Sequence, residues 1–184
     1  TVEVIRLAFA GEKLAYSGNY HRLPLPDGMG RAIRLSEPAN PRIPIYLATL
    51  GRRSLAYTGA EADGWIGTSF VPETGDALLS DIRRGAEQVD RSLDDFAVVV
   101  GAAAVAFDED LDALVESERM GRAFTLGAMG SADQNFYKDA YARAGWEEEA
   151  NEVQSLWLAG KRVEAAARVP RELILQTNLF GDEA

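Results

Sequence analysis

Cysteine is absent from the 184 residues, so disulfides and thiolate metal sites are excluded. A single histidine, His21, leaves little material for a zinc or non-haem iron centre, and no metal is expected. Apolar runs are short: the longest, 96–107, is rich in Ala and Val and is broken by Gly101, well below membrane-spanning length. Basic residues are outnumbered, 19 Lys and Arg against 29 Asp and Glu, for a net charge of −10. That balance offers no footprint for a phosphate backbone, so neither nucleic acid nor a membrane is expected as a partner. The first residues carry no signal-peptide pattern and no methionine, as a piece of a longer protein would. A reducing cytoplasm is the expected compartment.

What is present is core material. Hydrophobic residues make up 47% of the chain, and no repeat or low-complexity tract interrupts them. One domain is expected over residues 1–184. Three apolar runs read as strands, at about 43–49, 64–70 and 96–106. The third is almost continuously apolar, as a strand covered on both faces should be. Between them lie two helical patterns. In 51–62, Leu55, Gly59 and Ala62 share a face; in 73–91, Leu78, Ile82, Ala86 and Val89 recur at helical spacing. Strand and helix in alternation argue for right-handed βαβ units in a parallel sheet, an α/β fold.

The ends of the chain read differently. Residues 2–10 form a helical pattern, followed by a strand-like piece at 13–16 and a loop through Gly18 and Pro24. From about 108 to 178 the pattern is almost wholly helical. Asp108, Glu109 and Asp110 suit a helix start. Ser131 with Gln134 has the capping-box spacing, ahead of Phe136, Tyr137, Ala140 and Tyr141 on one face. Gly145 marks a stop, and Trp146, Ala150, Val153 and Trp157 form the stripe of a helix that Gly160 ends. Pro170 opens a last helix over 171–176.

These pieces together resemble the luciferase-like monooxygenase superfamily, and within it the coenzyme F420-dependent oxidoreductases. The resemblance is carried by Pro44-Ile45-Tyr46-Leu47-Ala48-Thr49-Leu50-Gly51, then Ala62-Asp63-Gly64-Trp65-Ile66, then Gly127-Ala128-Met129-Gly130-Ser131 with Asn135-Phe136-Tyr137. Gln154-Ser155-Leu156-Trp157-Leu158-Ala159-Gly160 and Val169-Pro170 follow in order. It implies a partial TIM (β/α)8 barrel, the fifth to seventh strands plus a helical accessory region, with a closing eighth strand absent where it would follow Gly181-Asp182. It implies F420 as cofactor, with FMN as the alternative, a small organic substrate and a homodimer. The implied reaction is hydride transfer; the rival readings are an FMN monooxygenase and a non-enzymatic partial-barrel interaction module.

Active sites of such barrels lie at the C-terminal strand ends. The first strand there runs into Ala48-Thr49-Leu50-Gly51-Arg52 and directly into a helix, whose first N–H groups lack intrahelical partners and suit a phosphate. Gly51 permits close approach, Thr49 offers a hydroxyl, and Arg52 or Arg53 a charge. The family uses this turn for its cofactor phosphate; an ordinary tight βα turn is the alternative. Family members often carry proline where Arg52 stands. Thr68, at the end of the second strand, is placed to meet the edge of a ring system, or else is a polar strand end. Phe124 and Met129 are candidate substrate contacts. Trp65 is expected in the core, His21 in an exposed loop, Asp63 at the wrong end of its strand for catalysis, and Arg83 and Arg84 on a solvated face. No residue pair has the spacing of a nucleophile and its base, so no catalytic residue is assigned.

Overall fold

The computed structural model describes residues 1–101, 104–108 and 110–181. By its contacts the chain divides into two compact units, Thr1–Ile45 and Tyr46–Ala184. In the first, helix α1 (Val2–Phe9) precedes an antiparallel hairpin of β1 (Tyr16–Ser17) and β2 (Arg22–Leu23). His21 is exposed, as expected of a loop residue.

The second unit opens with the expected parallel sheet. Strands β3 (Tyr46–Leu47), β4 (Gly64–Gly67) and β5 (Ala97–Val100) are hydrogen-bonded in that order, all parallel. Helix α2 (Arg52–Glu61) crosses from β3 to β4, and α3 (Asp76–Glu87) from β4 to β5. Their apolar stripes pack on one face of the sheet around Trp65: Leu55, Trp65, Leu78 and Ile82 form a buried cluster with Ala140. Trp65, fully buried, is core as expected. The two helices approach closely because each offers a glycine to the other's backbone. A Cβ on Gly59 would stand 2.8 Å from the Ile82 carbonyl carbon, and one on Gly85 would stand 2.6 Å from Ala56 Cα.

Several boundaries differ from expectation. β3 and β4 are shorter than 43–49 and 64–70; beyond β4, Ser69 adopts a left-handed φ of 54°, which extended pairing does not accommodate. α3 stops at Glu87, so Val89 is 51% exposed and leaves the stripe. The third run is two strands, β5 and then β6 (Val105–Phe107), with Ala102 and Ala103 outside the described residues. Nor is β5 covered on both faces: Val98 and Val99, which point opposite ways, are each 45% exposed.

Beyond β6 come α4 (Leu111–Ala128), α5 (Phe136–Tyr141), α6 (Glu147–Leu158), α7 (Arg162–Arg168) and α8 (Arg171–Thr177). Asp110 caps α4, accepting from the Ala113 N–H at 2.9 Å; its neighbour Glu109 lies outside the described residues. The start of α5 corrects the capping-box expectation. Ser131 does accept from the Gln134 N–H at 3.0 Å, but only within a turn, whereas Asn135 is the true cap, accepting from Lys138 N at 3.0 Å. Asn135 is buried and also donates to the Leu126 carbonyl at 2.8 Å, tying α5 to the end of α4. Gly145, at φ 100°, breaks the helix between α5 and α6 after one π turn, and Gly160, at φ 79°, ends α6. Leu126, Val153, Leu173 and Ile174 centre a second buried cluster.

Past α8 the chain adds a strand, β7 (Leu179–Gly181), parallel to β6. It ends at Gly181; the eighth strand expected to be absent would follow Gly181-Asp182, and Asp182 onward lies outside the described residues. Among the described residues the parallel strands form no closed barrel.

Candidate functional site

The turn from β3 to α2 is held open-ended by its neighbours. Gly51 is the N-cap of α2, at φ −73°, with no side-chain cap, and no acidic residue stands in the first turn. The Leu50 carbonyl accepts from Arg143 Nη2 at 2.5 Å, and the Thr49 carbonyl from the Trp65 indole at 2.8 Å. Ser54 Oγ turns back onto the Gly51 carbonyl at 2.9 Å. Two hydroxyls, buried Thr58 and half-buried Thr49, complete the frame. Thr58 spends its one hydrogen on the Ser54 carbonyl at 2.8 Å, so at 2.8 Å from Thr49 Oγ1 it must accept. Thr49 therefore donates inward.

This turn borders a cavity of about 390 Å³ whose wall includes Leu50, Gly51, Arg52, Phe136 and Arg143. Arg143 also pairs with buried Asp81 at 3.2 Å, while Arg84 holds the other Asp81 oxygen at 2.8 Å. Burial lowers the Arg143 pKa from its ordinary value, and nearby Arg52 pushes the same way against the opposing pull of Asp81. Arg52 and Arg143 stand at the end of a helix already positive by its dipole, with Asp81 and Asp139 opposing them. Asp139 is the one acid in that wall. A phosphate fits the cradle on these grounds: the helix end is uncapped, cations flank it, and nothing covers Gly51 closer than 3.4 Å from an added Cβ.

The expected site residues fall in two places. Thr49, Leu50, Gly51 and Arg52 gather at the α2 turn, with Ala48 exposed just before it and Arg53 exposed just after. Thr68 is in a second cavity, about 420 Å³, at the C-terminal end of β4. Its wall also holds Ser69, Arg122, Thr125, Tyr137 and Tyr141. Phe124 and Met129 line neither cavity; Phe124 instead packs edge-on against Trp157, with ring centroids 5.8 Å apart. Asp63 lies at the opposite end of β4, 3.9 Å from Arg91. Arg83 and Arg84 bind Asp76 and Asp81 from half-exposed positions.

Two arginines escaped the sequence reading. Arg122 lies seven residues after Val115 and four before Leu126, on the buried stripe of α4, so a charge on an apolar face was the available signal. Arg143 had no such signal, because it reaches Leu50 only through the π turn at Ala142–Trp146. No group of residues suited to a metal occurs among the described residues, and none of their helices is long and apolar enough to cross a membrane.

Known proteins resemble this chain in sequence and fold. A Mycobacterium tuberculosis protein named as a coenzyme F420-dependent oxidoreductase is 29% identical over 98% of this chain and 54% of its own length. An F420-dependent glucose-6-phosphate dehydrogenase of Nakamurella multipartita is 30% identical over 68% of the chain and 35% of its own. Among solved structures, a coenzyme F420-dependent tetrahydromethanopterin reductase from Methanopyrus kandleri superposes with a TM-score of 0.68 at 25% identity, covering 98% of this chain and 48% of that one. The chain thus spans about half the length of that reductase and of the mycobacterial relative. The family model for luciferase-like monooxygenases matches residues 1–184, and the chain belongs to that family.

Proposed function

We propose that this chain forms part of an F420-dependent oxidoreductase that transfers a hydride to or from a small organic substrate. The observation carrying this reading is the uncapped N-terminus of α2, which opens beside Arg52 and Arg143 on a cavity of about 390 Å³. F420 supplies the hydride chemistry when bound. The chain's own part is to bind and orient: Gly51 and the first-turn N–H groups hold a phosphate, Arg52 adds charge, and Thr49 is aligned by Thr58. Thr68, exposed at the end of β4, is placed to meet the ring. The F420-dependent relatives support the cofactor, and their cover of this chain supports reading the sheet as part of a (β/α)8 barrel. A cytoplasmic homodimer fits the same reading.

The test is titration with F420 and, separately, with FMN, followed by cofactor absorbance and fluorescence. F420 is expected to bind more tightly. Gly51→Ala separates binding from folding, since the added methyl has room and φ −73° suits alanine. Its stability should stay within about 1 kcal/mol of wild type, the N-cap difference, while F420 affinity falls at least about tenfold. Tight FMN binding with none of F420 would move the assignment to a flavin monooxygenase. A folded chain blind to both would leave the interaction module.

A further inference from the structure

The cavity at the end of β4 carries a buried charge that its own wall does not neutralise. Arg122 enters it from α4 and is only 8% exposed. Its Nη1 donates to the Tyr141 hydroxyl and its Nη2 to Thr177 Oγ1 at 2.7 Å. Both partners are neutral. Among the described residues no carboxylate stands within ion-pair distance of the guanidinium, although the chain holds 29 acids. Nε is shielded from water and has no partner. A buried cation left so costs several kcal/mol unless a counter-charge arrives.

The surroundings hold that cation in place and offer more donors. Its carbon Cζ lies 5.1 Å from the Tyr141 ring centroid, so the guanidinium is fixed by the ring as well as by hydrogen bonds. Thr177 gives its own hydrogen to the Leu173 carbonyl at 2.6 Å and serves only as support. Tyr141 differs: its oxygen accepts from Arg122, and its hydrogen has no acceptor among the described residues. Thr68 and Ser69 bring two more hydroxyls to the same wall, and Ser69 holds a left-handed φ of 54° there. Strain of about 1–3 kcal/mol at such a position persists where the surroundings demand it.

We propose that this cavity is an oxyanion site, in which Arg122 and the Tyr141 hydroxyl take the carboxylate or phosphate group of a small-molecule ligand. The site is separate from the α2 turn, though it shares Thr68 with the ring placement proposed above, and the inference does not rest on cofactor binding at that turn. It assigns the ligand a class, an acid with one compact anionic group, and gives Arg122 the role of its counter-charge.

The probes are inorganic phosphate and acetate, each titrated into the 184-residue chain at fixed ionic strength with chloride as control. Calorimetry reads affinity, and backbone amide NMR reads location. One or both anions should bind saturably, shifting Thr68, Tyr141 and Thr177; the stronger binder identifies the group. Arg122→Met should weaken that binding at least about tenfold, and Arg122→Lys by less. Because it removes an unpaired buried charge, Arg122→Met should match or exceed wild-type thermal stability in anion-free buffer. The proposal is overturned if wild type binds neither anion, a result that needs no folded variant. It also fails if the shifts are confined to residues 49–54, or if Arg122→Met unfolds the chain while anions leave wild type unmoved. A chain that binds an anion at Arg122 but ignores F420 keeps this inference and loses the cofactor reading.

Discussion

Replacing glycine by alanine should have opposite effects at two helical positions, Gly59 and Gly121. Gly121 is exposed on α4, and a Cβ there meets nothing within 4 Å. Helix propensity alone then acts, and Gly121→Ala should stabilise by about 0.5–1 kcal/mol. Gly59 gains the same propensity but faces α3, where its new Cβ would lie 2.8 Å from the Ile82 carbonyl carbon and closer still to the oxygen. Comfortable separation is about 3.5 Å or more, and neither backbone can rotate away as a side chain would. The helices must part, which loosens Leu55, Leu78 and Ile82 around Trp65. Overpacking of this kind costs about 2–4 kcal/mol; less the propensity gain, Gly59→Ala should destabilise by about 1–3 kcal/mol. For a chain of this length each kcal/mol moves Tm by about 2–4 °C. Urea unfolding followed by tryptophan fluorescence reads both variants, since Trp65 reports the affected cluster. A Gly59→Ala chain as stable as wild type would refute the close α2–α3 contact, and with it the placement of the α2 turn.

Other substitutions probe the frame around the two cavities. Asp81→Asn leaves half-buried Arg143 without this carboxylate, and should cost about 1–3 kcal/mol in chemical denaturation. Asn135→Ala removes both the α5 cap and the bond to Leu126, for about 2 kcal/mol; a loss below about 0.5 kcal/mol would mean that Ser131 caps the helix after all. Thr58→Val keeps the shape but breaks the Thr49 link, costing about 1–2 kcal/mol and lowering F420 affinity; unchanged affinity would show that the Thr49 hydroxyl plays no part in binding.

How much was legible follows from how local each signal is. The alternation of strand and helix is written in residues a few positions apart, and β3–α2–β4–α3–β5 stands in the expected order. Glycine stops were readable for the same reason: Gly145 and Gly160 both take positive φ. The start of α5 was misread by four residues because Ser131 and Gln134 satisfy the local pattern, while Asn135 wins through a partner on α4. The α2 turn could be read as a motif, but its frame could not. Arg143 comes to Leu50 from 93 positions away, and Arg122 meets Thr177 across 55. Long-range contacts of that kind are set by packing, which short-range patterns do not encode.

The third apolar run shows the same limit from the other side. Its near-continuous hydrophobicity predicts cover on both faces, yet Val98, Val99 and Val100 are 45%, 45% and 36% exposed. Paired residues of parallel strands point the same way, so the register puts Ile66 beside Val99, with Tyr46 on the same face one step along. That face is apolar and open, while α2 and α3 cover the other face at Trp65 but leave Val98, which pairs with it, 45% exposed. Val105, Phe107 and Leu179 on β6 and β7 are each more than 60% exposed as well. Exposed apolar side chains in this number ask for a partner layer. In a (β/α)8 barrel that layer is the rest of the strands, whose inward side chains fill the lumen. The pattern of 96–106 is therefore consistent with a barrel, and both cavities described here open at the strand ends where such a barrel would carry its chemistry.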